Sequence, residues 1–175
     1  MSKTELIMTY LSKFYKTKNQ SNLNIIIPII QQKDKQISLR ILDWFSTNYC
    51  RQYKIFIKIK ENHYIDVYQS YKNELKSYSK EFFDAFCRNY KIKYFYDHQK
   101  YLCTTPAQLN FFRWAIQNKI IQYIKDHFNV IEREMTNHFK EIKLKINNDN
   151  EKKLKKEINI SKVINKRYSK IIVKF

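Results

Sequence analysis

The sequence predicts an α+β fold, a small mixed or antiparallel sheet packed with helices, followed by a basic C-terminal extension. Three observations carry that reading. The segment YKIFIKIK at 53–60 alternates apolar and cationic side chains with the period of a strand. KIKYFYD and KYLCTT, separated by a polar tip at Asp97–Gln99, read as a hairpin. Elsewhere apolar residues recur every three or four positions, the period of a helix that buries one face.

Taken in order, residues 3–18 fit a basic amphipathic helix whose stripe of Leu6, Tyr10 and Phe14 packs on the domain, flanked by Lys3, Lys13 and Lys16. The run Ile25 to Ile30 reads as a short buried strand that Pro28 pushes toward an edge or a bulge. Ile37, Ile41, Trp44, Phe45 and Tyr49 mark a helix over 37–50. In the strand at 53–60, Tyr53, Ile55, Ile57 and Ile59 face one way, and Lys54, Phe56, Lys58 and Lys60 face the other. Residues 66–80 are helical again, and strands follow at 91–96 and 100–103. Thr104 or Thr105 then caps a helix at 105–126 with Pro106 in its first turn. Leu109, Phe112, Ile116, Ile120 and Tyr123 form its stripe, widened by Phe111, Ala115 and Ile121 until little but Asn110, Arg113 and Gln117 is polar. This is the expected central core helix. A helix-turn-helix with its turn at Gln117–Lys119 is the competing reading, but the continuous apolar spacing favours one unbroken helix.

With 175 residues, 43% of them hydrophobic, the chain can build one core. A single globular domain is expected at 1–139 and a lysine-rich extension at 140–175. The net charge is +18, and it is uneven: 11 basic against 4 acidic groups in residues 1–65, 11 against 8 in 66–139, and 12 against 4 in 140–175. The 28 lysines beside 25 isoleucines and 16 asparagines bear the stamp of AT-rich codon usage. The field they create is real whatever its origin, and it attracts polyanions. Six arginines against those lysines favour neutralising phosphates over bidentate reading of guanine edges. The chain contains no glycine, which excludes a phosphate-cradling P-loop, a dinucleotide fingerprint and a serine nucleophile elbow, all built on glycine. No cofactor and no metal is expected. Cys50, Cys87 and Cys103 are odd in number and form no C-x-x-C pair, as expected of free thiols in a reducing compartment. No signal peptide or transmembrane segment is readable.

Twelve cations are the candidate nucleic-acid ligands. Lys54, Lys58 and Lys60 share a strand face on which i, i+2 neighbours stand roughly 6.6–6.8 Å apart, suited to a phosphate backbone. The competing reading is protection of an edge strand against aggregation. Lys91 and Lys93 interleave with Tyr94, Phe95 and Tyr96, the mixture of charge and flat rings that single strands use for stacking. Arg113 presents a fork to a phosphate or to a carboxylate, with Asp43 or Asp84 as partner in a buried pair. Lys152, Lys153, Lys155, Lys156, Lys166 and Arg167 supply the charge of the extension. Asp66 with Glu74 and Lys76 matches the acid and E-x-K pattern of metal-dependent nucleases, but on a helical rather than a strand pattern.

QISLRILDWFSTNYCRQY at 36–53, DVYQSYKNELKSYSKEFFDAFCR at 66–88 and YLCTTPAQLNFFRWAIQNKIIQYI at 101–124 together resemble an uncharacterised protein family of mimivirus-type nucleocytoplasmic large DNA viruses. The resemblance spans about residues 36–135. It implies a setting, the virion or the replication factory in the host cytoplasm, and supplies no catalytic residue. Charge and setting together lead to the expectation of a non-catalytic, largely sequence-independent nucleic-acid-binding protein, with DNA ahead of RNA as partner. A virion scaffold that binds an acidic viral protein is the alternative, and a metal-dependent nuclease the third reading.

Overall fold

The computed structural model describes residues 2–16, 20–86, 88 and 90–168, with side chains described as far as Asp149. The elements run α1 (Lys3–Lys16), α2 (Ser21–Ile30), α3 (Leu39–Trp44), a π-helical turn (Phe45–Tyr49), α4 (Cys50–Tyr53), β1 (Phe56–Lys60), β2 (His63–Asp66), α5 (Val67–Phe82), β3 (Ile92–Phe95), β4 (Tyr101–Thr104), α6 (Pro106–Gln117), α7 (Ile120–Asp126) and α8 (Phe128–Tyr168). The chain divides into two compact units, Met1–Glu132 and Arg133–Phe175. Helices dominate, and the strands form two separate antiparallel hairpins, β1 with β2 and β3 with β4, so the α+β class holds.

Helix α6 is the core of the first unit. Every residue from Pro106 to Ala115 is buried. Thr105 caps the helix, its hydroxyl accepting from the Gln108 amide at 3.1 Å, while Pro106 occupies the first turn where its missing N–H costs nothing. Around Trp114 gather Tyr71, Phe83 and Phe111, with ring centroids 5.5–5.8 Å away in tilted or edge-on geometry. The polar residues of α6 before its last turn, Gln108, Asn110 and Arg113, face inward as well. Gln108 donates to the Ala85 carbonyl at 2.9 Å and accepts from Thr104, and Asn110 donates to the Phe82 carbonyl at 2.8 Å. These bonds satisfy backbone groups of the 82–85 segment that burial would otherwise leave unpaired.

Helix α1 begins with a capping box: the Ser2 amide donates to Glu5 and the Glu5 amide donates to the Ser2 hydroxyl. Its buried stripe is Ile7, Leu11 and Tyr15, one residue along from the expected Leu6, Tyr10 and Phe14. Leu6 is 62% exposed and Tyr10 46%. Both stripes have a spacing of four, so periodicity alone does not separate them. Tyr15 decides, because its ring enters the core and its hydroxyl donates to the Leu109 carbonyl at 2.7 Å.

The expected strand at 25–30 is a helix, α2. Only Leu23, Ile26 and Ile29 are buried, a spacing of three that the unbroken isoleucine run hides. Pro28, the eighth residue of ten, forgoes one ladder bond and is tolerated near the end of the helix. The Pro28 carbonyl then accepts from the Lys33 amide at 2.8 Å and that of Ile29 from Gln32 at 3.1 Å, a Schellman closure with Gln32 at positive φ. Strand β2 was not anticipated. The expected unbroken helix at 105–126 is two helices: Asn118 brings both its amide and its side chain to the Trp114 carbonyl, and Lys119 turns the chain at φ 55° before α7. The π-helical turn follows Ser46 and Thr47 hydroxyls that donate back to the Leu42 and Asp43 carbonyls, competing with the regular ladder. Gln20, Gln32, Lys54, Asn62, Ser79 and Lys119 all take positive φ, positions that other chains give to glycine.

Among the described residues no helix is long and apolar enough to cross a membrane. Cys50 and Cys103 are free thiols, and Cys87 lies outside the described residues.

Candidate nucleic-acid interface

The two hairpins position the candidate lysines. In β1–β2, Ile57 pairs with Ile65 and turns inward, so Phe56, Lys58 and Lys60 on β1 and Tyr64 on β2 face out. Phe56 and Tyr64 are each more than half exposed, and Lys58 stands opposite Tyr64. A bulge between Lys58 and Lys60 adds local twist to this edge. Lys54 is exposed but precedes the strand, at φ 49° in the turn after α4, and so stands outside the ladder expected for it. Lys119 joins the hairpin, its ammonium donating to the Lys58 carbonyl at 3.4 Å.

The second hairpin repeats the arrangement. Tyr94 and Leu102 pair and turn into the core, with Tyr94 edge-on to Tyr15. The opposite face carries Lys93 across from Cys103 and Phe95 across from Tyr101, with exposed Lys91 just before the strand. Phe95 and Tyr101 have centroids 5.5 Å apart, and the Lys93 ammonium lies 5.0 Å from the Tyr101 centroid. The interleaved rings of 94–96 are therefore divided: Tyr94 belongs to the core and Phe95 to the surface. Among the described residues none of Lys54, Lys58, Lys60, Lys91 and Lys93 has a carboxylate partner.

Arg113 is not with them. It is buried, and its guanidinium pairs with Glu74 and donates to Asn110 and Gln117 at 2.8 Å each, between the rings of Tyr10 and Tyr78. Of the two partners the sequence left open it takes the carboxylate, Glu74 in place of Asp43 or Asp84. Glu74 is thus committed, and Asp66 caps α5 by accepting from the Gln69 amide at 2.9 Å. These are two residues of the nuclease-like pattern, and each holds a structural contact. No cluster of three or more metal-ligating side chains exists among the described residues. Lys152, Lys153, Lys155, Lys156, Lys166 and Arg167 have backbone within α8, and their side chains lie outside the described residues.

Over residues 1–174 the sequence matches the family of unknown function DUF7197. The chain belongs to that family. It is 38% identical over 154 residues to the uncharacterised protein L507 of Acanthamoeba polyphaga mimivirus, a match covering 83% of the chain and 59% of that relative. The chain therefore spans less than two thirds of the length of this curated relative. No solved structure matches it. The mimivirus-type resemblance read from residues 36–135 is borne out and reaches across most of the chain.

In this DUF7197 chain the carboxylates of Asp43 and Asp84 form a separate acidic pair. Arg88 grips Asp84 with two 2.8 Å bonds. Asp43 stays above its ordinary carboxyl value of 3.8, because of burial first and the neighbouring Asp84 charge second, with Arg88 and Lys80 offsetting part of the effect. Burial first, and then the same two carboxylates, push the Tyr71 phenol up to about 12. A carboxyl whose pKa is raised by folding contributes stability that is complete below the unfolded value and is lost as pH rises through the folded value. Asp43→Asn is therefore expected to raise the melting temperature at neutral pH, with the gain fading as pH falls from the raised folded value toward 3.8 and gone below it. Thermal melts of both proteins across that range check it, and a gain that does not change with pH would contradict the assignment.

Tyr64, Tyr101 and Lys119 escaped the sequence reading. HYID alternates after the two-residue Glu61–Asn62 turn, so the strand carrying Tyr64 had a signal. Lys119 had a signal only in the competing turn at Gln117–Lys119, because its approach to β1 depends on the break after α6.

Proposed function

We propose that this protein binds nucleic acid without catalysis and largely without regard to sequence, with DNA ahead of RNA as partner. The observation that supports it is the outward face of the two hairpins, where lysines that have no carboxylate partner among the described residues stand beside exposed rings. Lysine supplies point charge for phosphates and little base discrimination. A net charge of +18 raises the encounter rate with any polyanion. The likeness to a mimivirus protein supports a viral setting, and within it the reading favours a replication factory in the host cytoplasm or the virion.

Counterion release gives the test. Affinity of the full chain for a labelled duplex is expected to fall at least about a hundredfold between about 50 and 200 mM salt, with each lysine replaced by glutamine lowering the slope of log affinity against log salt by about 0.9. A flat salt dependence, or an unchanged slope in a Lys58→Gln, Lys60→Gln, Lys91→Gln, Lys93→Gln protein, would remove the proposal.

A further inference from the structure

The outer face of β3–β4 carries more than charge. Phe95 is 58% exposed and Tyr101 45%, yet both lie on a regular ladder whose opposite face is fully used by the core. Cross-strand pairing holds the two rings side by side, and the Lys93 ammonium rests against one of them. Lys91 stands two residues before Lys93. The other cations of this region already have partners, Arg88 on Asp84 and Lys100 on Asp97. Among the described residues, what remains is a pair of flat rings flanked by two positive charges without a carboxylate partner.

That combination selects among polyanions. In a duplex the faces of the bases are stacked on one another and hidden, so exposed protein rings gain nothing from it. An unpaired strand offers base faces and phosphates together, and base–ring stacking is tolerant of sequence because every base has a flat face. An acidic protein would answer the charge but supplies no regular series of flat rings. Resting on the nucleic-acid reading above, we propose that this face is a stacking platform for single-stranded nucleic acid, with unpaired bases on Phe95 and Tyr101 and the adjoining phosphates against Lys91 and Lys93. The β1–β2 face, with Phe56 and Tyr64 beside Lys58 and Lys60, has the same composition on a separate hairpin.

The test uses the full chain, a fluorescent oligothymidine strand and a duplex of the same length, read by anisotropy. The strand is expected to bind at least about tenfold more tightly than the duplex. A Phe95→Ala, Tyr101→Ala protein is expected to lose about tenfold or more on the strand and almost nothing on the duplex, whereas Phe95→Tyr with Tyr101→Phe keeps wild-type affinity. In a Phe95→Trp protein, the strand and not the duplex should quench the added indole emission. Equal affinity for strand and duplex, or a double-alanine protein with wild-type strand affinity, overturns the platform while salt-dependent duplex binding keeps the broader reading. Binding of neither probe removes both. If poly-glutamate binds with the same dependence on the two rings, the face is a docking site for an acidic protein and the single-strand assignment falls.

Discussion

Replacing Arg113 with alanine is expected to lower the unfolding free energy by about 3 kcal/mol and to leave nucleic-acid affinity unchanged. The figure sits at the lower end of the range for breaking a buried ion pair, because the Glu74 side chain keeps 23% of its surface in water. The loss comes from three acceptors deprived of a donor at once: Glu74, Asn110 and Gln117. Arg113→Lys is not expected to rescue it, since one ammonium on a flexible stem cannot reproduce the planar fork that serves all three. Arg113→Ala combined with Glu74→Gln should recover part of the loss by removing the unpaired charge, and a double-mutant cycle in urea isolates that share. An Arg113→Ala protein with normal stability and weakened DNA binding would return this residue to the interface.

Why a candidate ligand proved to be a core residue says how far the sequence reaches here. Strand period and helix period were legible where side chains alternate strongly: β1, the β3–β4 hairpin, α5 and α6 all lie close to where the spacing put them. Isoleucine defeats that method at 25–30, because five isoleucines and a proline have no polar residue to set the phase, and only the folded helix shows that Leu23, Ile26 and Ile29 are the ones inside. In α1 the phase was wrong by one residue for a related reason, two adjacent stripes being equally apolar.

The site was legible by type and not by direction. Alternation says that Tyr94 and Phe95 face opposite ways, but which of them meets the core depends on Tyr15, from an element far away in sequence. The polar stripe of α6 reads in one dimension either as a fork for phosphate or as half of a buried pair. In three dimensions Asn110 and Arg113 are buried, Asn110 on the Phe82 carbonyl and Arg113 on Glu74, while Gln117 is exposed. Lys54 drops from the strand because, in a chain with no glycine, some other residue must take the left-handed turn between α4 and β1.

Trp114→Ala is expected to be the most damaging single change, at about 3–5 kcal/mol. The side chain is fully buried, and its removal leaves Tyr71, Phe83 and Phe111 facing a void that three rigid rings cannot collapse to fill. Ser70 also loses the indole N–H that donates to it at 3.0 Å. Against a total stability of about 5–15 kcal/mol for an ordinary domain, this approaches the whole margin. With a urea slope of about 2 kcal/mol per molar, the midpoint should fall by about 2 M, followed through the remaining buried indole of Trp44. Phe95→Ala supplies the contrast, an aromatic of comparable bulk on the outer face of a hairpin, where the change should stay within about 0.5 kcal/mol. Were the two substitutions to cost the same, neither the inward assignment of Trp114 nor the outward assignment of Phe95 could stand, and the platform on β3–β4 would lose the exposure on which it depends.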